Sequence, residues 1–303
     1  MGLERLRGID PGLVGVFAGP LGARTANEQR EVAREMERLG FGALWFGEGT
    51  AREVFAQGAI YLSATERLVV ASGIASIWAR DPTAMAAGGR SLNEAWPNRF
   101  ILGLGVSHAP MVSGRGHSYE RPAARMREYL DAMDKGIWRG PEAEPAPVVL
   151  AALGPKMVEL AGERTAGAFP YFTTPEHVRS IRERMGPDAF LAVDLPVALA
   201  ADRMSARRLG DRHTGVYLGI ANYVNNLRRL GFGDEDLEPP GSDALFDAIV
   251  AWGSEDAIAG RMRAMREAGA DHVVLNLIPE NPAEPYLPEL RAVAPIARTA
   301  GLM

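Results

Sequence analysis

Short β-branched and apolar runs alternate with longer stretches of helical spacing along the whole chain, and this order permits few architectures. Strands are expected at 13–18, 43–46, 68–72, 100–104, 148–151 and 272–278, with a weaker sixth at 168–172 and a seventh at either 190–193 or 197–200. Between them, Thr25-Ala-Asn-Glu28 is a capping-box sequence opening a helix that carries Val32, Met36 and Leu39 on one face and ends at Gly40. Asp81-Pro82, Thr174-Pro175-Glu176 and Ser254-Glu-Asp are further start signals. Helices are expected at 54–65, 82–95 and 122–137. A long helical region follows at 203–230, and a last helix carries Leu287, Leu290, Val293 and Ile296. Eight strands, each coupled to a helix and with no shift of composition midway, predict a single α/β domain over residues 1–303. It is a (β/α)8 TIM barrel with insertions after strands four and seven. A doubly wound sheet would want a Gly-rich dinucleotide turn, and Phe17-Ala-Gly19-Pro20-Leu-Gly22 lacks the G-x-G-x-x-G spacing.

Composition then narrows the chemistry. There are no cysteines, which removes disulfides, thiolate metal sites and cysteine nucleophiles. Lys135 and Lys156 are the only lysines, and neither ends a predicted strand as a Schiff-base lysine should. A net charge of −5 gives no basis for nucleic-acid binding. The first ten residues hold no apolar stretch that reads as a secretory signal, and no run approaches the roughly 18 apolar residues of a membrane span, so a cytoplasmic protein is expected.

A barrel builds its active site at the C-terminal ends of its strands. Here those ends are rich in Gly, Ala and Ser, with no repeated Asp, Glu and His cluster for a metallohydrolase and one well-placed carboxylate, Glu48, where a glycosidase needs two. Small residues let backbone approach a flat ring, so a cofactor slot is the functional reading. Gly154-Pro155-Lys156 opens a helix directly after a strand, an arrangement that favours a phosphate. The stretch 107–119 is long for a βα connection and reads as an active-site loop.

Four segments in order resemble the bacterial luciferase-like barrels. They are Glu37-Arg-Leu-Gly-Phe-Gly leading into Ala43-Leu-Trp-Phe-Gly-Glu48; Val69-Val-Ala-Ser-Gly-Ile-Ala75 with Arg80-Asp-Pro82; Asn93-Glu-Ala-Trp-Pro-Asn-Arg-Phe-Ile-Leu-Gly-Leu-Gly105; and Leu150-Ala-Ala-Leu-Gly-Pro155. The resemblance covers most of 12–185 and weakens through 200–250. It implies a reduced flavin or, in the branch this sequence is most similar to, the deazaflavin coenzyme F420, with hydride transfer to or from a small organic substrate. It further implies a non-proline cis peptide at Ser72–Gly73 behind the ring, a cofactor wall of Glu48, Ser72, Gly73, Val106, Ser107, Ala151, Ala152, Leu153 and Gly154, to which the helix start adds Lys156, and a homodimer through helix faces around strands two to four. Gly49 stands where many relatives carry a histidine, so His108 and Glu48 are the catalytic candidates; an imidazole titrating near neutrality suits proton transfer.

Three readings stay open: an F420-dependent oxidoreductase, an FMN-dependent monooxygenase on the same fold, and a barrel that binds a cofactor or ligand without turnover. Trp45, His213 and His272 read as structural, Trp78 as lining the substrate pocket, and His177 as solvent-facing. Substrate contacts are expected from 107–121 and 200–250.

Overall fold

The computed structural model describes every residue except Met1, Thr50, Pro282, Ala283 and Pro285. In chain order the elements are β1 (Val14–Phe17), α1 (Ala26–Leu39), β2 (Ala43–Phe46), α2 (Val54–Leu62), β3 (Val69–Ser72), β4 (Ala75–Ser76), α3 (Pro82–Ala95) and β5 (Phe100–Gly105). Next come α4 (Ala109–Ser113), α5 (Pro122–Asp134), β6 (Val148–Leu150), α6 (Pro155–Arg164), β7 (Gly167–Ala168), α7 (Pro175–Met185) and β8 (Phe190–Val197). The chain closes with α8 (Arg203–Leu218), α9 (Ala221–Arg229), α10 (Asp234–Leu237), α11 (Asp243–Ile249), α12 (Glu255–Glu267), β9 (His272–Leu277) and α13 (Leu287–Thr299).

All strand pairs are parallel in the order β3-β2-β1-β9-β8-β7-β6-β5, and β3 pairs with β5 to close an eight-stave TIM barrel. β4 is a short addition that continues the third stave along the upper end of β5. Helices cover the outside, so the strands are buried on both faces, which is why they read as apolar runs without alternation. Inside the barrel, Trp45, Phe169, Phe190, Ile101 and Val274 pack together, with Leu6 and Ile9 of the N-terminal turn closing the bottom. His272 is fully buried there; its Nδ1–H donates to the Gly12 carbonyl at 2.8 Å, and its Nε2 accepts from Trp45 Nε1 at 3.1 Å. The sequence capping signals are realised: Thr25 and Glu28 form the reciprocal capping box, and Gly40 ends α1 at φ +97°, a left-handed position that suits glycine.

Several boundaries differ from the sequence expectation. The seventh stave is β8, which takes in the whole of the first alternative, continues through Asp194 and Pro196, and reaches only Val197 of the second. The Asp194 N–H points toward the β7 side, to the Pro170 carbonyl; Pro196 faces the same way beyond the end of β7, where no donor is required. The sixth stave is only Gly167–Ala168, because Pro170 has no N–H to extend the ladder and Phe172 turns to φ +55°. α5 stops at Asp134, short of 137, and the region 203–230 is two helices separated at Gly219 and Ile220. The insertion after the seventh stave, α8–α11, has its own apolar core around Leu218, Leu227, Leu245, Phe246 and Ile249 and packs over the barrel mouth through Phe172 and Tyr223.

Candidate active site

A cavity of about 1040 Å³ opens at the C-terminal end of the barrel. One wall is made of small or apolar groups following β3, β5 and β6: Gly73, Ile74, Gly105, Val106, Ala151 and Ala152. The cis peptide lies at Gly73–Ile74, one bond later than the sequence comparison implied. Ser72 remains in strand register with Phe46 and turns its Oγ–H onto the Gly103 carbonyl at 2.9 Å, so it backs the wall without lining the cavity.

Glu48, just beyond β2, lines the cavity, yet its carboxylate is occupied. Oε2 accepts from Ser76 N–H at 2.8 Å and from Arg80 Nη1 at 3.1 Å, and Oε1 takes the other guanidinium nitrogen. Arg80 is itself fixed, pairing with Glu53 at 2.9 Å. The geometry is a bidentate clamp joining the end of the second stave to β4 and the start of α3.

His108 caps the N-terminus of α4 and lines the cavity with Val106 and Ser107. Its Nδ1 is 3.0 Å from Asn222 Oδ1 on α9, and its ring stands 5.4 Å from Tyr223. An amide oxygen only accepts, so Nδ1 carries the proton and Nε2 keeps its lone pair. Burial pushes the imidazole below its usual range, partly offset by the Asn222 bond, so the ring is neutral at pH 7.

At the other end, Gly154 precedes α6 without any side-chain cap, leaving the helix N-terminus directed at the cavity beside Lys156 and Arg229. Arg229, on α9, donates to Asn226 Oδ1 at 3.1 Å, and a Cβ built on Gly154 would stand 3.6 Å from its Nη2. Asn226 Nδ2 and Thr173 Oγ1 approach His177 Nδ1 at 3.3 and 2.6 Å, and His177 Nε2 bonds the Leu153 carbonyl at 3.1 Å. His177 is therefore buried, contrary to the solvent-facing expectation; burial lowers it to about 4, and it ties α9 to the loop after β6. Trp78 does not line the cavity; it stands behind the wall, donating to the Val106 carbonyl at 2.9 Å, with the His117 ring tilted against it at 5.5 Å.

Sequence reasoning missed Phe17, Phe169, Tyr171, Tyr217, Asn222, Tyr223 and Arg229 as individual lining residues. The segments 107–121 and 200–250 do supply lining groups, as expected of them. For Phe169 and Tyr171 a signal existed, an aromatic cluster at the end of a predicted strand. For the α8–α9 residues no local pattern marks them.

Asp194 was also missed. It is fully buried on β8, accepting from Phe172 N–H at 3.2 Å and Asn276 Nδ2 at 3.1 Å, and burial outweighs these bonds to push it up to about 8. An unfolded aspartate titrates near 4. Between these values the folded state binds more protons than the unfolded one, so this group's contribution to stability falls as pH rises from about 4 to 8. Asp194→Asn stays neutral throughout. Its urea-unfolding free energy relative to wild type is expected to rise by on the order of 2–4 kcal/mol between pH 5 and pH 8. A difference that does not change with pH would show that Asp194 is ionised in the fold.

Residues 13–272 match the sequence profile described as luciferase-like monooxygenase. The chain belongs to that family. A Mycobacterium tuberculosis protein named as a coenzyme F420-dependent oxidoreductase is 24% identical over an alignment covering 86% of this chain and 94% of the relative. Among solved structures, an F420-dependent secondary alcohol dehydrogenase in complex with an F420-acetone adduct superposes with a TM-score of 0.74 at 14% identity, covering 97% of this chain and 98% of the other. The FMN complex of the oxygenating constituent of 3,6-diketocamphane monooxygenase from Pseudomonas putida gives 0.68 at 16% identity, with 95% and 98% covered. Both structural likenesses establish the shared barrel.

Proposed function

We propose that this luciferase-like protein is an oxidoreductase that passes a hydride between the deazaflavin coenzyme F420 and a small organic substrate. The observation that carries the reading is one cavity lined by the small residues Gly73, Gly105, Ala151 and Ala152 and also by the uncapped N-terminus of α6 with Lys156 and Arg229. That donor set fits a planar ring with an anionic side chain. The name of the M. tuberculosis relative and that of the alcohol dehydrogenase structure point the same way.

When bound, the coenzyme supplies or accepts the hydride. This chain's part is to orient and to move a proton. Backbone and small side chains of Gly73, Val106, Ser107, Ala151, Ala152 and Leu153 would hold the ring, and Gly154, Lys156 and Arg229 would hold its phosphorylated side chain. His108, neutral and with Nε2 unshared, takes or returns the proton at the substrate oxygen. Glu48, with its lone pairs committed to Arg80 and Ser76, is a positioning residue that keeps the wall in place. The same reading includes a homodimer acting in the cytoplasm, checked by light scattering on the purified protein. Among the described residues no helix is long and apolar enough to cross a membrane.

Fluorescence titration with oxidised F420 and, in parallel, with FMN tests the assignment. Saturable micromolar binding of F420 alone is expected. Preference for FMN would transfer the reading to a flavin monooxygenase, which shares the barrel and the phosphate end; binding of neither would end it. Arg229→Ala is expected to raise the F420 dissociation constant about tenfold by removing one charge-assisted contact to phosphate. An unchanged constant would place the coenzyme's anionic end elsewhere.

A further inference from the structure

The aromatic part of the cavity holds a hydrogen-bond donor that the proposed chemistry has not used. Asn276 Nδ2 donates to Tyr171 Oη at 2.5 Å and to Asp194 Oδ1 at 3.1 Å, so both protons of that amide are spent. Tyr171 and Tyr217 lie Oη to Oη at 2.8 Å. The two phenols own two O–H protons, and the bond between them uses one. Whichever ring supplies it, the other O–H has no acceptor among the described residues, and both rings line the cavity. Burial raises both phenols, Tyr217 to about 12, so the pair stays protonated through the working pH range.

The surroundings define what the donor can meet. Phe17 stands 5.5 Å from Tyr171, Tyr223 stands 5.1 Å from Tyr217, and Phe169 packs edge-on to Tyr171. The cavity's charged residues are Glu48, which is paired with Arg80, and Arg121, Lys156 and Arg229, and none of these packs on the rings. A bound anion or cation would lose its hydration here without a partner, whereas an apolar ring would gain aromatic contact.

We infer that the Tyr171–Tyr217 pair anchors the substrate's oxygen, and that the substrate is an uncharged, largely apolar ring compound carrying one carbonyl or hydroxyl group. The inference rests on reading the cavity as a hydride-transfer site. It adds a specificity element: Asn276, held by Asp194, fixes the Tyr171 oxygen as an acceptor and so leaves a phenolic proton facing the cavity.

Calorimetric titration of the coenzyme-free protein with 1-indanone, with indane and with the 5-carboxylate of 1-indanone tests it. Wild type is expected to bind the ketone about tenfold tighter than the hydrocarbon, as one neutral hydrogen bond provides, and at least about tenfold tighter than the carboxylate. Tyr171→Phe and Tyr217→Phe singly keep the preference, since each leaves one O–H; the double variant, made together with Asn276→Ala so that the amide N–H released by Tyr171→Phe is also gone, loses it. A readout that needs no variant is the carbonyl stretch of bound 1-indanone, which should shift to lower frequency than in hexane. A combined variant that still prefers the ketone, an unshifted carbonyl, or a carboxylate that binds as well as the ketone overturns the inference. F420 titrated into the same preparations keeps the two readings apart. Failure of F420 binding alone counts against the proposed coenzyme and leaves the anchor standing; loss of ketone preference in wild type with F420 binding intact overturns the anchor alone.

Discussion

His108→Ala is expected to lower turnover with F420 about a hundredfold while leaving the coenzyme's dissociation constant within about twofold, because general acid–base catalysis contributes on the order of 10²–10⁴ and His108 makes no part of the phosphate end. Asn222 fixes the proton on Nδ1, and Nε2 is left as the basic atom beside the cavity. Burial holds the imidazole below its ordinary value, so the basic form persists to lower pH than for a free histidine. In the direction that removes a substrate proton, the rate is therefore flat through pH 7 and falls tenfold per pH unit only below the depressed value. That acidic limb is expected to vanish in the alanine variant. Asn222→Ala, which frees the tautomer but leaves the ring, should cost less than His108→Ala and keep the limb. Turnover in His108→Ala within threefold of wild type, with an unchanged pH profile, would remove His108 from the mechanism; no measurable turnover in wild type with any uncharged ketone or alcohol would favour a barrel that only binds.

Gly103→Ala is expected to cost about 3 kcal/mol or more and to lower Tm by roughly 5 °C or more. A Cβ at Gly103 would stand 1.8 Å from the Ser72 carbonyl oxygen, a backbone atom of the neighbouring stave. Ser72 cannot retreat, since it is in register with Phe46 on its other side and its own Oγ is bonded to the Gly103 carbonyl. The relief would have to come from the turn at Gly73 and Ile74, which lines the cavity, so on the proposed function any folded Gly103→Ala protein should also bind F420 more weakly. Gly49→Ala is the control: among the described residues nothing lies within 4 Å of a Cβ there, and Tm should move by no more than about 1 °C. Equal melting temperatures for the two variants would mean that β3 and β5 are not pressed together as described.

Much of the barrel was legible in the sequence because its information is local. Each stave announces itself as a short apolar run, and each helix carries its own start signal, such as the Thr25–Glu28 box or Asp81-Pro82. Boundaries failed where one residue's role depends on a neighbour strand. Pro196 interrupts the seventh stave in sequence yet costs nothing where β7 has ended, and Pro170 shortens the sixth for lack of an N–H. The resemblance to luciferase-like barrels placed the wall residues because that wall follows directly from strand ends, with Ser72 the exception: it stays in the ladder and the turn begins one residue later.

The sequence by itself determined that eight strand–helix units close into a barrel, that no thiol takes part, and that small residues end the staves facing the mouth. Only the tertiary structure decided which groups meet there. Asn222 reaches His108 across 114 residues, Asn276 reaches Tyr171 across 105, and Arg229 comes to Gly154 from a helix in the least recognisable part of the chain. The same distinction explains Glu48 and Asp194, two carboxylates whose chemistry is opposite to a reading by residue type. One is held in an ion pair by Arg80 from the loop after β4, the other is pushed toward its protonated form by complete burial. Hydrophobic period and capping act over a few residues and survive in the linear text, whereas a hydrogen-bond partner, a tautomer and a desolvation cost exist only once distant segments share a volume.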